Sequence, residues 1–370
     1  MKSISIPMPT RFAADCLMTL LYHLDRAYDI IVSGENIVIQ GPRPLEALRE
    51  AVVTAQQILI RRSQSDERYW SRIPASGNDK KILTKLYKAL QLPKDSLTLD
   101  LVRVLAKRPV DFTQEIMFPS ILKPEFYEYN NRSAGYAGEG VRKMERAYPA
   151  YLVGLCLIGY LLSKIGYCWL ERGVRVAVLM TPLTTSSPRP FAVDPEYRLA
   201  TFLDPVGRLE DTLHSQRQGY RLDGLFPETA LHLWLASRAG GMRIKLYAVN
   251  EPGGNNPATF FTSFQMNLTT VYEAMTRTGL TSEYMRDRIA SLAGRALDTL
   301  RKDLDRTLAI RFSTLLFEAL LGTRPLEDFV YASNRELLPY LLKGSEKDSS
   351  YYVAYDAVSI GRTLLRRTMV

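Results

Sequence analysis

Cysteine and histidine are scarce in this chain. Its 370 residues hold three cysteines, Cys16, Cys156 and Cys168, and three histidines, His23, His214 and His232. The cysteines are odd in number, far apart and set among apolar residues. That excludes a disulfide framework and fits a reducing, cytoplasmic compartment. No histidine is followed by a second ligand at i+3 or i+4, and no CxxC or HExxH pattern occurs, so no metal site is expected. A GxxxxGK[ST] phosphate loop is missing, as is a GxSxG elbow. Gly138-Glu139-Gly140 lacks the third glycine of a dinucleotide fingerprint. No cofactor and no catalytic residue of a common type are therefore expected. Neither a signal peptide nor a basic tail is expected from the sequence pattern.

What is present is an ordinary globular balance, with 46% hydrophobic and 24% charged residues, enough to bury a sizeable core. Lys and Arg outnumber Asp and Glu by 48 to 39, giving a net charge of +9. Arginine dominates, 34 against 14 lysines. Its planar fork of donors matches phosphate geometry and stacks on flat rings, so an anionic partner such as nucleic acid suits this composition. A mixed, salt-bridged surface explains the same balance without any partner.

The hydrophobic periodicity predicts an α+β fold. Mixed α/β N-terminal and central parts (1–115 and 116–265) precede a C-terminal helical bundle (266–370). A helix over Ala13 to Tyr28 leads into a hairpin of residues 29–32 and 36–39. Pro44 then opens a helix to about Arg62. Residues 63–80 read as a loop, followed by helices over Lys81 to Leu90 and Thr98 to Lys107. The most apolar stretch, Tyr148 to Leu170, contains Lys164 and several glycines. It is expected as a buried central helix to about Lys164 rather than a membrane span. A hairpin of 167–170 and 174–180 follows. Met242 to Val249 alternates as a half-exposed strand should. Thr281 and Glu283 start a long helix whose repeat of Ile289, Leu292, Ala293, Ala296, Leu297, Leu300, Leu304 and Leu308 marks a core face.

Three segments pair small residues or helical spacing with basic side chains. In the first, Asn130, Asn131 and Arg132 open a glycine-rich loop that leads to Arg142, Lys143 and Arg146. Such a loop lets backbone N–H groups approach phosphates, and Tyr127, Tyr129 and Tyr136 offer rings for stacking. In the second, Arg238, Gly240, Gly241, Arg243 and Lys245 lead to Tyr247, with Arg243, Lys245 and Tyr247 on one strand face. The turn carrying Asn255 and Asn256 lies close by in sequence. In the third, Arg288, Arg295 and Lys302 repeat every seven residues, which reads as a solvated helix face. Asp194, Glu196 and Asp204 bring carboxylates together, but in a proline-bounded loop, where metal-assisted cleavage is poorly served.

The run from Phe118-Pro119 through Asn130-Asn131-Arg132 into the apolar helix, the strand Arg243-Ile244-Lys245-Leu246-Tyr247 and the helical C-terminus together resemble the large subunit of archaeal type I-A CRISPR effector complexes (Cascade). The resemblance implies a non-enzymatic subunit. It would contact guide RNA, recognise a short motif in target DNA and assemble with other subunits, with no membrane association. Two other classes stay open: a metal-dependent nuclease, and an archaeal or viral scaffold whose basicity serves solubility.

Overall fold

A computed structural model of the chain describes residues 2–9, 11–24, 27–33, 35–65, 73–94, 96, 98–124, 146–170, 174–182, 228–252, 256–297, 303–343 and 349–368. The chain forms two compact units. One comprises Met1–Phe191 with Lys245–Phe264, the other Ala192–Ile244 with Gln265–Val370. Each is built from stretches that are distant in sequence.

In the first unit, β1 (Lys2–Pro7), β2 (Asp29–Ser33) and β3 (Asn36–Gly41) form a sheet in the order β1-β3-β2. The expected hairpin is β2 and β3, antiparallel with Ser33 opposite Asn36. β1 adds a strand to it, pairing Ile4 with Ile39 and Ile6 with Ile37. Helix α1 (Arg11–Leu21) stops seven residues short of Tyr28. Helices α2 (Pro44–Ser65), α3 (Gly77–Ala89) and α4 (Thr98–Lys107) follow. Helix α3 begins four residues before the predicted Lys81 because Ser76 and Asp79 cap it. The Ser76 N–H and Oγ both donate to Asp79 Oδ2, at 3.2 and 2.8 Å. The same buried carboxylate accepts the Ser120 N–H at 2.7 Å and the Ser120 hydroxyl, whose oxygen accepts the Ala258 N–H at 3.0 Å. One capping aspartate thus ties three distant segments together, with its lone pairs satisfied.

Two short strands, β4 (Glu115–Met117) and β5 (Ala147–Pro149), pair antiparallel and lead into α5 (Ala150–Ser163). Every residue of α5 is buried, so the most apolar stretch is the central helix of this unit. It is hydrophobic all round because other elements cover all its sides. Two glycines let neighbours close in on it. A Cβ at Gly159 would lie 1.9 Å from the Cys16 carbonyl oxygen of α1, and one at Gly154 would lie 2.5 Å from Leu105 Cδ1 of α4. Beyond α5, β6 (Lys164–Leu170) and β7 (Val174–Pro182) form the expected antiparallel hairpin. They continue into β8 (Arg243–Asn250) and β9 (Thr259–Asn267), in the order β6-β7-β8-β9. Among the described residues, no helix is long and apolar enough to cross a membrane.

Helices dominate the second unit: α6 (Glu228–Ala239), α7 (Thr269–Arg277), α8 (Glu283–Leu297), α9 (Asp303–Leu320), α10 (Leu326–Ala332), α11 (Leu338–Lys343) and α12 (Ser349–Thr368). A π-turn over Ser333–Leu337 joins α10 to α11. The expected long leucine helix is two helices, α8 and α9. Ile289, Leu292, Ala293, Ala296 and Leu297 are buried as predicted, but Leu304, in the first turn of α9, is 57% exposed. The second helix starts its own face, so the predicted repeat does not carry through as one core face. The architecture is α+β, with the C-terminal helical region expected from the sequence.

Candidate nucleic-acid interface

The segment from Arg238 to Lys245 is the best-described of the three constellations. Helix α6 closes with Gly240 at φ +75°, a conformation costly for residues with a Cβ, and the Gly240 N–H donates to the Ala236 carbonyl at 3.0 Å. Gly241 then passes beneath the Tyr272 ring, where a Cβ would stand 3.1 Å from Tyr272 Cδ1. The glycine pair therefore serves a tight exit from α6. Beyond it, Arg243 emerges exposed at the first position of β8.

The neighbouring cations do not join Arg243 in solvent. Arg238, in the last turn of α6, reaches Asp287 of α8 at 2.9 Å. Lys245 corrects the half-exposed reading of this strand: from Ile244 to Val249 every residue of β8 is buried. The Lys245 ammonium lies 3.2 Å from Asp15 of α1, and Tyr247 donates its O–H to the same carboxylate oxygen. Phe12 packs edge-on against the Tyr247 ring at 4.9 Å, and Phe260 stacks on that ring at 5.4 Å. The shared face of Lys245 and Tyr247 exists, but helix α1 covers it. An internal counter-charge takes the place foreseen for a phosphate. Asn256 is exposed.

The helical stripe also departs from expectation. Arg288 and Arg295 turn towards α12, where they flank the buried Asp356. Arg288 Nη1 lies 3.0 Å from Asp356 Oδ1, and Arg295 Nε lies 3.9 Å from Oδ2. Burial raises the Asp356 pKa, against the pull of Ser291 and both arginines. Burial also opposes the charge of Arg288, but the Asp356 hydrogen bond and charge prevail and raise its pKa. The Arg288 guanidinium sits 4.8 Å from the Tyr284 ring centroid and 4.5 Å from that of Tyr355. Arg295 lies 5.0 Å from the Tyr352 ring. The solvated stripe is instead an arginine–tyrosine cluster around one carboxylate. Sequence reasoning missed Tyr284, Tyr352, Tyr355 and Asp356. The signal was Tyr351-Tyr352 followed by Tyr355-Asp356, one helical turn later.

Asn130, Asn131, Arg132, Arg142, Lys143, Asn255 and Lys302 lie outside the described residues, as do Asp194, Glu196 and Asp204. Among the described residues, no three His, Cys, Asp or Glu side chains gather as metal ligands would. His232 packs against the Phe317 ring at 5.5 Å.

Comparison with known proteins places the chain. No curated protein matches it. A family model described as CRISPR-associated protein, CsaX, matches residues 44–337, well over half of the chain and parts of both units. The chain belongs to the CRISPR-associated CsaX family and so has a role in CRISPR defence.

Proposed function

We propose that this CsaX protein is a non-enzymatic nucleic-acid-binding subunit of a CRISPR effector complex, contacting guide RNA and recognising target DNA. In this reading it is the large subunit of an archaeal type I-A complex, working beside other subunits. Membership of a CRISPR-associated family is the observation that carries the reading. The net charge of +9 and the preference for arginine support it, because phosphate contacts supply a large share of nucleic-acid affinity. The exposed Arg243, anchored at the start of β8 by the turn under Tyr272, is the contact argued from described residues. Arg132, Arg142 and Lys143 are proposed with it on the sequence pattern alone.

The test is binding of duplex DNA and guide-like RNA over a salt series, by the chain and by its reconstituted complex. Arg243→Ala should reduce the slope of log affinity against log salt by about one unit for duplexes of any sequence. Lys245→Ala should leave that slope unchanged, because its charge already faces Asp15. Absence of salt-dependent binding in both preparations would refute the reading. Metal-dependent strand cleavage by the chain would replace it with the nuclease alternative, for which Asp194→Ala is the first variant to make.

A further inference from the structure

We propose that the tyrosine–arginine face shared by α8 and α12 is a stacking site for unpaired bases of single-stranded nucleic acid. The proposal rests on the nucleic-acid reading above and narrows it to one strand type and one surface.

The face is assembled from these two helices of the second unit. Helix α8 contributes Tyr284, Arg288 and Arg295, and α12 contributes Tyr352, Tyr355 and the buried Asp356. The apolar core already includes the buried Met285, Ile289 and Leu292 of α8 and the buried Val353, Ala357 and Ile360 of α12. The tyrosines are not needed to fill it: Tyr284 and Tyr352 remain 49% and 40% exposed. Both rings are therefore accessible to a partner.

The arginines hold those rings in place. Arg288 lies between Tyr284 and Tyr355, whose hydroxyl oxygens are 3.4 Å apart, and Asp356 anchors its guanidinium. Arg295 does the same for Tyr352. Two guanidinium groups around one carboxylate leave a net positive charge beneath the rings, the sign that a phosphodiester chain requires. Helix α12 extends that sign. Arg362 and Arg366 follow Tyr355 by seven and eleven residues, on the same face and about 10 and 16 Å along the axis, and both are exposed. Aromatic platforms beside a basic track bind single strands because every unpaired base offers a π-face. In a duplex those faces are already covered by neighbouring bases.

The test uses the full chain, a fluorescein-labelled oligothymidylate and a duplex of equal length, read by anisotropy over a salt series. Tyr284→Ala and Tyr352→Ala should each weaken oligothymidylate binding about tenfold, with the salt slope and the duplex affinity unchanged. Tyr284→Phe and Tyr352→Trp, which keep a ring, should bind as the wild type does and guard against simple misfolding. Arg362→Ala and Arg366→Ala should each flatten the single-strand salt slope by about 0.7. If the wild type binds nucleic acid and the alanine variants match it, the stacking site is refuted while the broader reading stands. If the wild type binds no nucleic acid, both fall. If the variants keep oligothymidylate affinity but fail to join the effector complex, the face is a protein interface and the proposal is wrong.

Discussion

Lys164 is the sharpest test of how the first unit holds together. It stands where α5 ends and β6 begins, its side chain is 0% exposed, and it is ion-paired with Glu251, whose side chain is 7% exposed. Tyr160 donates its O–H to Glu251 at 2.9 Å, so the carboxylate has two partners in a dry setting. Replacing Lys164 with Met keeps the packing volume but leaves an uncompensated buried charge. Such a loss costs about 3–5 kcal/mol, whereas an exposed pair is worth roughly 1 kcal/mol or less. At about 2–4 °C per kcal/mol for a unit of this size, Lys164→Met should lower the melting temperature by about 6–20 °C. Glu251→Gln removes the charge but keeps an acceptor for Tyr160. The double variant Lys164→Met/Glu251→Gln should therefore recover most of the loss, with a coupling of at least about 2 kcal/mol in a double-mutant cycle. Urea and thermal melts of the four proteins give these values. A single-variant loss below about 1 kcal/mol, or a double variant no better than Lys164→Met, would refute the buried-pair argument.

The helix crossing at Gly159 gives a second prediction. Gly159→Ala drives a Cβ into the Cys16 carbonyl and should cost about 1–3 kcal/mol or more, since backbone must move. Gly154→Ala meets only the side-chain ends of Leu105 and Leu101, not backbone, and gains helix propensity, so it should cost less than Gly159→Ala in the same melts. Cys16 and Cys156 are buried, and burial pushes the Cys156 thiol well above its ordinary pKa. In a Cys168→Ser background neither should react with dithiobis-nitrobenzoate between pH 7 and about 9 until the protein is unfolded. Rapid labelling of the native protein would contradict the burial.

Local patterns were legible where local physics governs. The hairpin of β2 and β3, the start of α2 at Pro44 and the β6–β7 hairpin follow from turn residues and periodicity alone. The all-apolar run of α5 declared its own burial. The Ser76–Asp79 cap is equally local, and it starts α3 at Gly77, four residues ahead of where periodicity alone puts it. What α5 packs against was not legible. Gly159 is a glycine because of the α1 backbone, and α1 lies more than 130 residues away in sequence.

The candidate site divides the same way. Sequence spacing correctly put Lys245 and Tyr247 on one face of a strand, and Arg288 and Arg295 on one face of a helix. A period states which side chains share a face but not what that face meets. Asp15 and Asp356 decide that, and each is brought from a distant segment to the cation it holds. A charged residue in a periodic pattern reads as solvated because burial of a lone charge is costly. Only the tertiary structure supplies the counter-charge that offsets the cost. Composition, charge and local order were thus set by the sequence on its face. Which cations remain for an outside partner was decided when the fold paired Lys245, Arg288 and Arg295 internally and left Arg243, Arg362 and Arg366 exposed.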